Sequence, residues 1–151
     1  MALKEKLMED LKSSMKSKDT IRKNTITMIR AAIKQKEVDE RIELDDQGVI
    51  EIISKQLKEK KNVIEDFKKG QRQDLVEQTE KEMEILLEYL PKQLSEDDIR
   101  EIVMETVKEV NASSMKDMGL VMKSVMPKVK GKADGNTVNK IVKEILEINL
   151  G

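Results

Sequence analysis

Apolar residues recur at every third or fourth position along most of this 151-residue chain, and no stretch replaces that spacing with sustained apolar–polar alternation. A repeat near 3.6 lines up side chains on one face of a helix, whereas a strand needs a repeat of two. The chain is therefore constrained to pack helix on helix. Composition agrees: 39% charged and 38% apolar residues, with only 2 Pro and 6 Gly, is the mixture that amphipathic helices use.

The spacing predicts an all-α protein with an N-terminal bundle of about four helices and a C-terminal domain of three. Leu3, Leu7, Leu11 and Met15 form the first stripe. Asp19 or Thr20 caps a second helix, with Ile26, Ile29 and Ile33 on its inner face and Ile21 as a further candidate. The third starts at Asp45-Asp46, buries Ile50, Ile53, Leu57, Ile64 and Phe67, and stops at Gly70. Asp74 is expected to cap a fourth, carrying Leu75, Thr79, Met83, Leu86 and Leu90 up to Pro91.

Pro91-Lys92-Gln93-Leu94 reads as the domain boundary, giving 1–92 and 93–151. Ser95 followed by Glu96-Asp97-Asp98 is a helix start, because a Ser cap and early acids satisfy the N-terminal amides and dipole. The fifth helix then presents Ile99, Ile102, Val103, Thr106 and Val110. A turn at 111–114 leads to a sixth, lined by Met115, Met118, Met122, Val125 and Val129. After the loop at 130–135, the last carries Val138, Ile141, Val142 and Ile145 inward, with Leu146 a further candidate.

Missing residue types exclude whole chemistries. With no His and no Cys, imidazole-based triads, thiol nucleophiles, disulfides and the usual zinc sites cannot be built. Two S-x-x-K matches, at Ser13–Lys16 and Ser113–Lys116, lack the companion motifs of the hydrolases that use them. The acidic run from Glu77 to Glu88 reads as a solvated face. Five of the 10 methionines fall between Met104 and Met126, which offers either core filler or an adaptable partner groove. No catalytic residue, metal ligand or cofactor is expected. Neither a signal-peptide h-region at the start nor a membrane-length apolar run is visible, so a cytoplasmic chain without a membrane partner is expected.

Net charge is −1, but it is unevenly distributed: residues 116–143 hold seven Lys and two Asp. Within them Lys130-Gly131-Lys132 sets two ammonium groups beside a glycine just before a helix start, where backbone amides favour anions. Lys123 and Lys128 precede this loop, and Lys140 and Lys143 follow it. The competing reading is that these lysines merely complement a helix C-terminus.

Three elements together, Gly119-Leu120-Val121-Met122-Lys123, Lys130-Gly131-Lys132-Ala133-Asp134-Gly135 and Val138-Asn139-Lys140-Ile141-Val142-Lys143-Glu144, resemble the YqeY-type module of the GatB/YqeY family. The module also forms the C-terminal tail of the B subunit of the tRNA-dependent Asp/Glu amidotransferase. The resemblance implies an all-helical N-terminal domain followed by three helices, and a tail that helps bind the outer surface of tRNA. Nothing here corresponds to the amide-transferring domain, so a non-catalytic module is expected. Carried onto this chain, the implied RNA-contacting residues are Lys123, Lys130, Gly131 and Lys132, with Lys128, Lys140 and Lys143 flanking them. The expected partner is tRNA or a tRNA-handling enzyme, not DNA. The rival reading is a protein–protein adaptor with no RNA ligand, using the N-terminal helices or the Met-rich helix as its groove.

Overall fold

The computed structural model describes residues 2–148, and every regular element among them is helical. In order these are α1 (Leu3–Ser17), α2 (Thr20–Glu40), α3 (Asp46–Lys69), α4 (Gln73–Glu88), α5 (Glu96–Glu109), a 3-10 turn (Met115–Asp117), α6 (Met118–Val129) and α7 (Gly135–Ile148). They fall into two compact units divided between Leu90 and Pro91.

In the first unit the helix ends follow local chemistry. Lys18 (φ 60°) and Arg41 (φ 54°) turn left-handed to close α1 and α2. Asp19 then caps α2 through the Arg22 amide, and Asp45 caps α3 through the Gly48 amide. The start of α4 departs from expectation. Arg72, not Asp74, occupies the cap position, and Asp74 sits in the first turn paired with the Arg72 guanidinium at 3.0 Å.

The stripes also shift. A strict four-residue spacing drifts about 40° per step on a 3.6-residue helix. Three steps from Leu3 carry Met15 out to 55% exposure, and Ser14 takes the inward place with its hydroxyl donating to the Leu11 carbonyl. On α3 the buried arc is broader than expected, taking in Val49 and Ile52 while Ile50 and Phe67 are only half buried. The reason is that α3 packs against α1, α2 and α4 together. On α4, Val76, Ile85 and Tyr89 are buried, leaving Leu75, Met83 and Leu90 at the margin of the core.

Polar links tie the first unit across helices. Lys4 on α1 pairs with Glu37 on α2, whose carboxylate also accepts from the Leu44 amide at 2.7 Å. Together these contacts hold the Glu37 carboxyl below its ordinary range, the Lys4 bond contributing most. Arg22 grips Glu88 with both guanidinium nitrogens (2.6 and 3.2 Å), Lys60 reaches Glu82 at 2.9 Å, and the Tyr89 hydroxyl donates to Asp10.

The second unit begins with a reciprocal cap. Ser95 Oγ accepts from the Asp98 amide and Asp98 accepts from the Ser95 amide, both at 3.1 Å. Its core is valine-rich: Val103, Val107, Val121, Val125, Val129, Val138 and Val142 with Ile99, Ile141, Ile145 and Leu146. The expected α7 face, Leu146 included, is buried throughout. Met115, Met118, Met122 and Met126 pack on this core, so the Met-rich helix is filler rather than an open groove.

Candidate nucleic-acid interface

The link from α6 to α7 is a defined turn. Lys130 has φ −55° and ψ 125°, Gly131 has φ 75°, and the Lys132 amide donates back to the Val129 carbonyl at 2.8 Å. These are the features of a type II β-turn over Val129–Lys132, whose third position demands positive φ and hence glycine. Gly131 is therefore required by the turn. Gly119, by contrast, has open space where a side chain would stand, so close packing does not explain it.

The turn is anchored from α5's leading segment. The Leu94 amide donates to the Lys132 carbonyl at 2.8 Å and the Gln93 side chain to the Gly131 carbonyl at 2.9 Å. With both carbonyls held inward, the Lys130 and Lys132 side chains lie exposed. Sequence reasoning treated Gln93 and Leu94 only as boundary residues. Their partners lie 38 residues downstream, and no local pattern announces them.

The remaining lysines differ in their commitments. Lys123, Lys132, Lys140 and Lys143 are exposed and form no ion pair among the described residues. Lys128 is turned back onto α5, where its ammonium donates to Thr106 Oγ1 and to Glu109, each at 2.9 Å. Both acids of the 116–143 segment are spent locally. Asp117 accepts from the Ser113 and Ser114 amides, and Asp134 accepts from the Asn136 amide at 3.1 Å. The Asp134 carboxylate thus occupies an amide at the start of α7 that would otherwise face an incoming anion. Any phosphate affinity at this end rests on the lysines more than on the helix terminus.

Among the described residues no cluster of acidic side chains is arranged to hold a metal ion, and no helix is long and apolar enough to cross a membrane. Phe67 and Tyr89, the only aromatic side chains, both belong to the first unit, so the second unit carries no base-stacking platform of its own.

The family described as Yqey-like protein matches residues 4–146 and so takes in parts of both units. The chain belongs to the YqeY family. Among curated YqeY-family relatives it is similar to the Altered inheritance of mitochondria protein 41, mitochondrial, of Pyrenophora tritici-repentis, with 31% identity over 93% of this chain and 79% of that protein. The protein of the same name from Vanderwaltozyma polyspora is 33% identical over 89% of this chain and 70% of its own length. That of Lachancea thermotolerans is 42% identical, but over 56% of this chain and 46% of the relative. These names place those relatives in mitochondria, whereas the lack of a signal-peptide h-region and of a membrane-length apolar run leads one to expect a cytoplasmic chain.

Proposed function

We propose that the C-terminal unit binds folded RNA, transfer RNA in particular, through phosphate contacts around the Val129–Lys132 turn. One observation carries the reading: five exposed lysines, Lys123, Lys130, Lys132, Lys140 and Lys143, surround a glycine-dependent turn while both acids of the segment are engaged in capping. At 1.5 Å rise per residue, Lys123 and Lys140 stand roughly 8–9 Å along their helices from the turn. That is about one Debye length at physiological salt, whereas Lys143 stands roughly 12 Å along α7 and contributes less. Lysine serves as a point-charge phosphate binder, and the absence of aromatics from this unit favours shape over base identity. Lys128, held by Glu109, contributes least.

The chain acts in this reading as a non-catalytic module, either alone on RNA or within a tRNA-handling complex. It works wherever its tRNA is found, in the cytoplasm or, as the relatives' names would have it, in mitochondria. The test is a titration of labelled, unfractionated tRNA at several salt concentrations, with K130E/K132E alongside. Wild type should bind with log K falling linearly in log salt, by about 0.9 per duplex phosphate neutralised. The double variant should lose binding at unchanged helical circular dichroism. Equal affinity of the two proteins, or no binding at low salt, would refute the reading; so would unaided turnover of glutamine or misacylated tRNA.

A second reading, a protein–protein adaptor, draws on one feature of the same unit. A cavity of about 270 Å³ between α5 and α7 is lined by Arg100, Met104, Val107, Lys108, Ile145 and Ile148. Met104 and Ile148 are 52% and 73% exposed there. An adaptor would bind its partner with little salt dependence and lose it on Met104→Asp.

A further inference from the structure

The first unit carries a surface that the RNA reading does not use. The outer side of the α1–α2 pair is a groove of about 800 Å³ with Leu7 and Ile33 in its floor. Met8 and Ala31 line it, and Met15 and Val38 continue their helix faces beyond it. Met8 (36% exposed) and Met15 (55%) lie seven residues apart on α1, and Ala31 and Val38 (64%) seven apart on α2. Residues spaced by seven share a helix face, and an apolar heptad spacing on the outside of a helix is the pattern of a seam that receives another helix. The core of the unit does not need these side chains, since Leu7, Ile26, Ile29 and Ile33 already fill it.

The rims are charged with opposite sign. On α1 the groove is lined by Glu5 and Glu9, with Lys4 already neutralised by Glu37. On α2 it is lined by Arg30 and Lys34. None of Glu5, Glu9, Arg30 and Lys34 forms an ion pair among the described residues. A face with one acidic and one basic rim is complementary to itself: a two-fold axis running along the helices lays α1 of one copy over α2 of the other. Because that axis preserves position along the groove, the Lys4–Glu37 pair sets the register. Glu5 and Glu9 then meet the partner's Lys34 and Arg30, and Met8 meets the small side chain of the partner's Ala31. We infer that the α1–α2 groove is a self-association surface through which two copies of this chain form an antiparallel four-helix contact.

The strength of that contact can be bounded. Two helices 8–10 Å apart present a face about 20 Å wide, and the 15 residues of α1 run about 22 Å. Roughly 900 Å² is buried over both copies, about a quarter below the lower end of the usual range for specific complexes. The dimer is therefore weak and concentration-dependent.

Sedimentation equilibrium on the full chain, across roughly 10–500 µM, reads it directly. Wild type should shift from monomer toward dimer. E5K/E9K makes both rims basic and R30E/K34E makes both acidic, so each alone should dissociate at least tenfold more readily. Mixed one to one, the two variants should recover association as a heterodimer, because each supplies the rim the other lacks. Ala31→Glu, at an exposed helix position, sets a like charge beside the partner's Glu9 and should weaken the dimer with the fold undisturbed. A wild type that stays monomeric at the highest concentration overturns the inference and leaves the groove to a helix of another protein. Reversal variants that dimerise like wild type, or a mixture that fails to associate, overturn it equally.

Discussion

The two units spend their charges differently. In the first, the ionic groups stitch helices together: Lys4 to Glu37, Arg22 to Glu88, Lys60 to Glu82, with Tyr89 buried against Asp10. Its core is built from long aliphatic side chains, Leu7, Ile26, Ile29, Ile53, Leu57 and Leu86 among them. The second has the cross-helix pairs Arg100–Glu144 and Lys128–Glu109, a valine core, and most of the lysines of α6, the turn and α7 directed to solvent. Charge that is paired internally is unavailable to a ligand, whereas charge left outside a self-sufficient apolar core costs little and can be offered to one. The comparison marks the first unit as the one whose helices are joined by ion pairs and the second as the one with the basic face.

The sharpest way to break that division is to unfold the units separately. Tyr89, the chain's single Tyr in the absence of Trp, is buried in the first unit's core and reports on its unfolding. Ile141→Ala, which empties a site 2% exposed in the second core, should cost about 2–5 kcal/mol. It should lower the helical transition without moving the Tyr89 signal; Leu86→Ala, at a fully buried site of the first core, should move that signal. One shared transition for both variants would show that the division is not energetic.

A smaller effect is expected at the turn. Gly131→Ala forces a side chain into φ 75° and should cost about 1–2 kcal/mol. It should also weaken tRNA binding more than its stability loss accounts for, since Lys130 and Lys132 lose their fixed spacing. Retained affinity would mean that loop flexibility, not turn geometry, presents the lysines.

The smallest effect is in acid. Glu37 has its folded pKa held below the ordinary value of 4.5, chiefly by Lys4. Its stabilisation is thus full above that value and is lost as pH falls through the folded pKa. Asp98, held below its ordinary 3.8 mainly by the Ser95 amide, behaves likewise at lower pH in the second unit. Glu37→Gln should flatten the acid dependence of the Tyr89-monitored transition below about pH 4.5 and leave the second unit's unchanged. Asp98→Asn should do the reverse.

Much of the fold was legible because helix formation and termination are local. The Asp19, Asp45 and Ser95 caps, the Gly70 stop and the whole inner face of α7 follow from residues within one or two turns of one another. Where the reading slipped, the cause was either a local detail, as at Met15 and at the Arg72 cap of α4, or a distant contact, as on α3. Met15 was placed inward by a spacing that drifts off the core line, and Val49 and Ile52 are buried because α3 meets three neighbours. In the candidate site, spacing identified the basic loop and its glycine but not which lysines were at liberty. Lys128 looks the same as Lys123 in the sequence; only the approach of α5 brings Thr106 and Glu109 within 2.9 Å of it.

By itself, then, the sequence determined the helical class, most helix limits, the chemistries that lack of His and Cys forbids, and the clustering of lysines near one turn. Only the tertiary structure decided which charges pair across helices, how Gln93 and Leu94 hold the turn, and which rim of the α1–α2 groove carries which sign. The physical reason is range. Capping and periodicity act over a few residues, so composition along the chain records them. Ion pairing and side-chain burial act through space, between residues whose separation in sequence says nothing of their distance in the fold.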